Sequence, residues 1–496
     1  MDLQTATGSL HTTETLYDSF EERAVDVDFV LPDYCAEVAA VLKCTMTPVI
    51  TQRQWSADRL SVDGFTTIRV LYLDEERRTV HAYEAKEPFA LSFSVSTEGE
   101  GVHRLLEAKT DYVNCRATSA RHLNVHGAFR VYLKIIGEGV KTIFSDPGSP
   151  TLFCKAKTVR TSAPVLETEK SFTVNEFVAL GMPAYELIYS HMTASVSDCK
   201  KLLGKMIVKG TLILHALYTA NEDGESKTVT QEIPYSQIVD VEGMTEEWLC
   251  DVSVGVGECE AHIQREQTGG VLAITCKLTA FVRCSRTEVH SVVLDAYDIH
   301  HPLACETIPM PVKHRGPRSV RRVRTRQSMP LPDGVSDIVD LWAEARRETV
   351  SGDEMSGDIQ ISLLARDSEN RIGYYERTLA AEWGRREDGP AVAEIRVLFA
   401  QGRMSGGMLE VETELEIAEE DVFEETLAIV ASAVMDEQET YPPSEVSLKI
   451  LYTSAGEDLW ELAKACRTSL DDILLENDLT QPVIQRPTML MIPIQY

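Results

Sequence analysis

The sequence predicts a mainly β protein: tandem antiparallel, β-sandwich-like repeats followed by a small α+β module of strand, helix, helix and strand. Three observations predict it. A stretch that begins at residue 64 recurs 146 positions later. Alternation of apolar and polar side chains, the period of a strand with two unlike faces, runs through the first four hundred residues. The last fifty residues break that habit and carry two helix-capping signals between two short strands.

The repeat can be followed residue by residue. Gly64-Phe-Thr-Thr-Ile-Arg-Val-Leu-Tyr72 reappears as Gly210-Thr-Leu-Ile-Leu-His-Ala-Leu-Tyr218, and the same offset carries Pro88-Phe89 onto Pro234-Tyr235. A weaker third copy begins at Gly357-Asp-Ile-Gln-Ile-Ser-Leu-Leu364, and Leu31-Pro-Asp33 matches Leu331-Pro-Asp333. Repeats this long can each bury a core, so they are expected to be domains in tandem, over residues 20–150, 165–305 and 320–438, with the last module over 443–496. Within them Ile68, Val70 and Tyr72 alternate with their neighbours, as do Leu212, Leu214 and Ala216, and the stretches Val125–Ile135 and Val271–Phe281. Leu409, Val411, Thr413, Leu415 and Ile417 alternate with four glutamates, which predicts one buried and one solvated strand face. Asp74-Glu-Glu-Arg77 and Asn221-Glu-Asp-Gly224 are expected hairpin turns. Many strands with turns between them imply antiparallel sandwiches, without fixing strand order.

Charge and motifs exclude several functions. A net charge of −30 disfavours nucleic acid or an anionic membrane as the main partner. One stretch runs the other way: residues 313–326 hold seven Lys or Arg and no acid. It lacks the interleaved aromatics that stack bases, and residues 410–439 hold twelve acids and no base. The basic run is therefore expected to be a linker or edge strand against an acidic face of its own chain. No apolar run is long enough for a membrane span, and the first residues lack the basic and apolar regions of a secretory signal, so an intracellular role is expected. Eleven irregularly spaced cysteines without Cys-x-x-Cys point to reduced thiols, and Cys250, Cys259, Cys276 and Cys284 fit no zinc spacing. His300-His301 point to opposite strand faces, and His122 with His126 have no carboxylate or thiol near in sequence, so these are expected to be ordinary surface or core histidines. Nucleophile-elbow, zinc-protease and phosphate-loop motifs are missing; no catalytic residue, metal site or cofactor is expected.

The C-terminal module carries the specific clue. Val446, Leu448, Ile450 and Tyr452 share one face of a strand. Asp458 with Glu461, and Ser469 with Asp472, are capping pairs for two helices whose apolar stripes are Leu459, Leu462, Ala463 and Cys466, then Leu470, Ile473 and Leu474. Asn477 suits the end of the second helix, where a left-handed residue is common. This segment resembles the LysM family, with Gly456-Glu-Asp-Leu-Trp460, the run from Ile473 to Leu479, and Leu490-Met-Ile-Pro493 carrying the likeness. The resemblance implies a shallow groove for N-acetylglucosamine polymers such as peptidoglycan. Gly456, Glu457, Asp458 and Leu459 would line one side of it and Asn477, Asp478 and Leu479 the other, with Trp460 holding the fold. Pro487-Thr488 stands where that family has a glycine, and the module's excess of acids makes an anionic wall polymer a poor electrostatic match.

The segments Gly64–Phe89 and Arg121-His-Leu-Asn-Val-His-Gly127 in turn resemble the SPOCS domain, which occurs in tandem before a LysM module in spore-forming Firmicutes. That resemblance implies a non-enzymatic scaffold or adaptor of spore-coat or spore-envelope assembly, located in the mother-cell cytoplasm at the forespore surface. Its LysM module would bind a coat-foundation protein, a cytoskeletal ATPase.

Overall fold

The computed structural model of the chain describes residues 6–56, 58–95, 102–220, 225–266, 269–351, 354–385 and 391–494. Six strands make the first unit: β1 (Thr7–Val30), β2 (Ala40–Ser56), β3 (Arg59–Leu73), β4 (Val80–Ser94), β5 (His103–Ser119) and β6 (His122–Phe144). They form two antiparallel sheets, ordered β1-β6-β5 and β2-β3-β4. The second unit repeats the plan with β7 (Leu152–Ala179), β8 (Glu186–Leu202), β9 (Lys205–Thr219), β10 (Ser226–Asp240), β11 (Leu249–Glu266) and β12 (Gly269–Asp298). So does the third, with β13 (Leu303–Pro330), β14 (Val335–Ser351), β15 (Glu354–Asp367), β16 (Ile372–Arg385), β17 (Ala391–Ser405) and β18 (Met408–Met435). Their sheets run β7-β12-β11, β8-β9-β10, β13-β18-β17 and β14-β15-β16. The fold is thus mainly β and antiparallel, and the third unit shares the strand order of the other two.

The recurring Gly and Pro-aromatic motifs have one physical cause. A β-bulge at Ile50/Gln52 on β2, and its counterpart at Val196/Asp198 on β8, turns a carbonyl toward the central strand. A Cβ at Gly64 would strike the Val49 carbonyl oxygen and the Phe89 ring; at Gly210 it would strike the Ser195 carbonyl oxygen and the Tyr235 ring. Gly64 lies directly opposite Phe89 and Gly210 opposite Tyr235, so each aromatic ring fills the space its glycine leaves. The Tyr235 hydroxyl donates to the Ser195 carbonyl at 2.9 Å. Gly210→Ala is expected to lower stability by about 2–3 kcal/mol, because the clash is with backbone that cannot swing away. Urea unfolding followed by circular dichroism checks it; an unchanged midpoint contradicts the packing account.

The outer strands are long, up to 30 residues for β12, and serve two cores each. Val25 and Phe29 of β1 and Leu123 to Ile135 of β6 close the first unit's own sandwich. Farther along the same strands, Leu10 and Ile143 meet Val159 and Val292 of the second unit and Met310, Val312, Leu427 and Ile429 of the third. A second three-way junction buries Leu71, Leu217 and Leu364, one from each unit, around Tyr189 and Val339. Contacts close in a cycle: β4 with β8, β10 with β14, and β16 with β2. The three units therefore stand around a pseudo-three-fold axis.

The basic run lies on β13 and is zipped to β18. Lys313 pairs with Glu424, Arg315 with Glu420, Arg321 with Glu419, Arg322 and Arg324 with Glu414, and Arg326 with Glu412. Arg318 reaches Glu394 and, in the second unit, Asp251. The expected solvated glutamate face of β18 is accordingly corrected: Glu414, Glu416 and Glu419 are buried under these cations, with Ser195 of the second unit donating to Glu416. The expectation of reduced thiols is also corrected for four cysteines. Cys250 is joined to Cys284 and Cys259 to Cys276, because the β11–β12 register sets each pair directly opposite, with Cα atoms 4.1 and 4.2 Å apart. The Asp74–Arg77 turn closes with Arg77 in the left-handed region at φ 57°. The Asn221–Gly224 turn lies outside the described residues. No helix among the described residues is long and apolar enough to cross a membrane.

Candidate functional site

After β18 the chain builds β19 (Leu448–Thr453), α1 (Leu459–Cys466), α2 (Leu470–Glu476) and β20 (Thr488–Pro493), with β19 and β20 antiparallel. Both capping residues work. The Asp458 carboxylate accepts the Trp460 N–H at 2.9 Å, and the Ser469 hydroxyl accepts the Asp472 N–H at 3.3 Å. Leu459, Trp460, Ala463, Ile473, Ile484, Leu490 and Ile492 form the buried core beneath, which continues into Tyr297 and Ile299 at the end of the second unit. On β19 the inward residues are Leu451 and Thr453. The apolar face of Leu448, Ile450 and Tyr452 turns outward, with Ile450 56% and Tyr452 83% exposed.

The expected groove residues have definite places. Gly456 takes φ 91° and donates its N–H to Ile484 at 2.7 Å. Glu457 accepts the Ile484 N–H at 3.0 Å, and Leu459 donates to the Pro482 carbonyl at 2.8 Å. Gly456 to Leu459 are thus stitched to the segment before β20. Asn477 has other partners: its side-chain amide donates to the Ile473 and Met491 carbonyls, and its Oδ1 accepts the Met491 N–H at 2.7 Å. It bridges α2 to the outer edge of β20 as a strand would. The left-handed residue is Asp478, at φ 53°, rather than Asn477, at φ −110°. Leu479 donates to Leu474 at 2.9 Å and packs on the module core.

Trp460 does more than hold the module. Its indole N–H donates to Asp295 of β12 at 2.8 Å, and its ring meets Tyr297 edge-on at 5.0 Å. Lys464 also pairs with Asp295 at 2.8 Å, the Tyr297 hydroxyl donates to the Thr468 carbonyl at 2.7 Å, and Asp458 pairs with Lys155 of β7 at 2.7 Å. The module is docked on the second unit through its first helix. Lys155, Asp295 and Tyr297 escaped the sequence reading because their hydrogen-bond partners Asp458, Trp460 and Thr468 lie 303, 165 and 171 positions away, with no local pattern to mark them. Burial raises the Asp458 carboxyl, but the Lys155 ammonium and the Trp460 N–H outweigh it and hold its pKa below the usual aspartate value. A lowered carboxyl pKa adds stability above the ordinary aspartate range and loses it as pH falls through the lowered value. Lys155→Ala is therefore expected to loosen docking near neutral pH by no more than about 1 kcal/mol, since the pair is partly exposed. The difference from wild type should vanish in acid. Hydrogen exchange of α1 at both pH values measures it; a difference that persists in acid assigns the loss to something other than charge.

A cleft lies where the three units meet. Lys43 and Arg69 of the first unit, His191 and His215 of the second and Trp342 of the third face it. His215 Nδ1 lies 3.0 Å from the Thr230 hydroxyl and Nε2 3.0 Å from Asp340, a residue of the third unit that also accepts from Tyr189. Enclosure by the cleft walls, then the Arg69 and His215 charges nearby, lowers the His191 pKa, although the residue as a whole stays exposed to solvent. These groups answer one another across unit boundaries, so the cleft is a joint. Of the histidines singled out in sequence, His122 contacts Ser119 three positions away and His301 bonds the distant Glu439 carbonyl, and no metal-binding group occurs among the described residues.

Fold and site together define a class: a tandem-repeat β protein with an appended α+β module whose core is continuous with the second unit. Residues 37–118 and 184–264 match the family model described as SipL, SPOCS domain. These stretches are β2 to β5 and β8 to β11, the corresponding parts of the first two units. No curated protein and no solved structure matches the chain.

Proposed function

We propose that this chain is a non-enzymatic scaffold of spore-coat or spore-envelope assembly on the mother-cell side of the forespore, gripping a coat-foundation ATPase through residues 443–496. The observation that carries the reading is the build of the C-terminal module. Its two helices and two strands close over a core that runs on into Tyr297 and Ile299 of the second unit, it docks there through α1, and it leaves its sheet facing solvent. Two SPOCS matches upstream agree with a sporulation-associated protein. Linked domains raise the effective concentration for a second contact, so modest single affinities give firm attachment. The module is read as LysM-like, and its acidic surface favours a protein partner over anionic glycan.

The test compares the full chain with one ending at residue 442, each against the purified coat-foundation ATPase and against purified peptidoglycan. Binding of the ATPase by the full chain and not by the shortened one supports the proposal. Retention on peptidoglycan that needs residues 443–496, without ATPase binding, replaces it with a glycan-binding role.

A further inference from the structure

The two edges of the small β19–β20 sheet are not alike. Met491 gives both its N–H and its C=O to the Asn477 side chain, so these groups point away from β19 and the outer edge of β20 is closed there. Ile450 lies directly opposite Met491. In an antiparallel pair such residues form a non-hydrogen-bonded pair, and the backbone groups of both point outward. By the same alternation, the N–H and C=O of Leu448, Ile450 and Tyr452 face away from β20. Leu448, Ile450 and Tyr452 also carry the exposed apolar side chains, flanked across the sheet by Met489 and Met491, 50% and 37% exposed. Sheet edges are commonly guarded by a charge, a proline or a bulge. No proline or bulge interrupts β19, and its one charge, the exposed Lys449, lies on the face opposite Leu448, Ile450 and Tyr452, near Cys466.

We infer that β19 is a strand-addition site, where an extended segment of a partner protein, with apolar residues on alternate positions and basic residues at its ends, pairs along Leu448–Thr453. Main-chain hydrogen bonds to the open edge supply affinity, and the Ile450, Tyr452, Met489 and Met491 ridge receives the alternate side chains. Charge selects the occupant. Exposed Glu445 precedes the strand and exposed Glu457 follows it; of the nearby cations, Lys464 and Arg467 are engaged within the chain, by Asp295 and by the Tyr441 ring, and Lys449 sits mid-strand, away from both ends. A basic-ended segment is attracted at both ends. A second copy of this chain, at net charge −30, is repelled. The inference rests on the proposed partner-gripping role of the module and moves the contact from the turns to the strand edge.

The test uses the full chain and a labelled peptide of alternating valine and threonine with lysines at both ends, read by fluorescence anisotropy. A control peptide of equal charge has prolines in place of two central valines, which removes backbone donors. The wild-type chain is expected to bind the first peptide and to bind the proline control at least about tenfold more weakly. Ile450→Lys and Tyr452→Lys, both at solvent-facing positions that leave the core untouched, are each expected to weaken the first peptide by at least about tenfold. Equal binding of the two peptides, unchanged binding by both variants, or no binding by wild type overturns the inference. A wild-type dimer in sedimentation that Tyr452→Lys dissolves overturns it in favour of self-pairing. If the peptide arm fails while the full chain still captures the coat-foundation ATPase, the edge is wrong and the scaffold role stands.

Discussion

Asp340→Ala is expected to loosen the joint between the second and third units, at a cost of about 3–5 kcal/mol, because two inter-unit donors lose their shared acceptor. Asp340 is 3% exposed and accepts from the Tyr189 hydroxyl, from His215 Nε2 at 3.0 Å, and from the Leu341 N–H at 2.7 Å. Tyr189 is buried between Trp342 of the third unit and Arg69 of the first. Burial, and then the neighbouring Asp340, raises the Tyr189 pKa far above its ordinary value, so its hydroxyl keeps the proton it donates. Among the described residues the three units share three apolar junctions, so the expected symptom is a shift from a joint unfolding transition to separate ones rather than collapse of every sheet. Differential scanning calorimetry reads that directly. Asp340→Asn, which keeps an acceptor, should cost less than Asp340→Ala. A double-mutant cycle with Tyr189→Phe should return a coupling within the range of about 0.5–3 kcal/mol typical of contacting groups. An unsplit transition with an unchanged midpoint in Asp340→Ala would show that the apolar junctions hold the units without this network.

Much of the architecture was legible because strand periodicity is local and the repeat is long. Gly64 and Gly210, with Phe89 and Tyr235, report a bulge and the ring that covers the opposite glycine, so the motif could be seen before its cause was known. Each unit's first strand nonetheless begins upstream of the repeat starts read from the sequence: at Thr7, Leu152 and Leu303. The early part of β1 is polar and mostly exposed between Thr13 and Ala24, and so lacks the apolar alternation that marks a strand. Strand order and the closure of three units depend on Leu10, Val159 and Ile429 meeting across hundreds of positions, for which no local pattern exists. The fate of a face was equally hidden. Alternation showed that Leu448, Ile450 and Tyr452 lie together, but Leu451 and Thr453 are the ones turned to the helices. The glutamates of β18 looked solvated until the arginines of β13 covered them. In the module, Asp458 and Ser469 were readable as caps because capping acts within three residues. Docking on Asp295 and Tyr297 was not, since it joins distant parts of the chain.

Trp460→Ala is expected to cost the module about 3–5 kcal/mol, the range for emptying a buried tryptophan site. Trp460 is 5% exposed, and its loss acts on two surfaces at once: the module core with Leu459 and Ala463, and the seat on Tyr297 and Asp295. A fifty-residue module has little stability to spare, so the amides of α1 and α2 should lose protection in hydrogen exchange while those of β3, β6 and β12 keep it. Partner capture should be lost with them. Two further variants separate the surfaces. Trp460→Phe keeps an aromatic ring and removes the N–H to Asp295, and is expected to weaken docking while the module stays folded. Tyr297→Ala empties the seat from the other side and leaves every module residue in place. If Tyr297→Ala abolishes partner capture while α1 stays protected, the second unit must hold the module at a set angle for binding. If capture survives, the module acts on a tether and the seat serves stability. A soluble Trp460→Ala chain with native protection in α1 and undiminished capture would remove Trp460 from both roles.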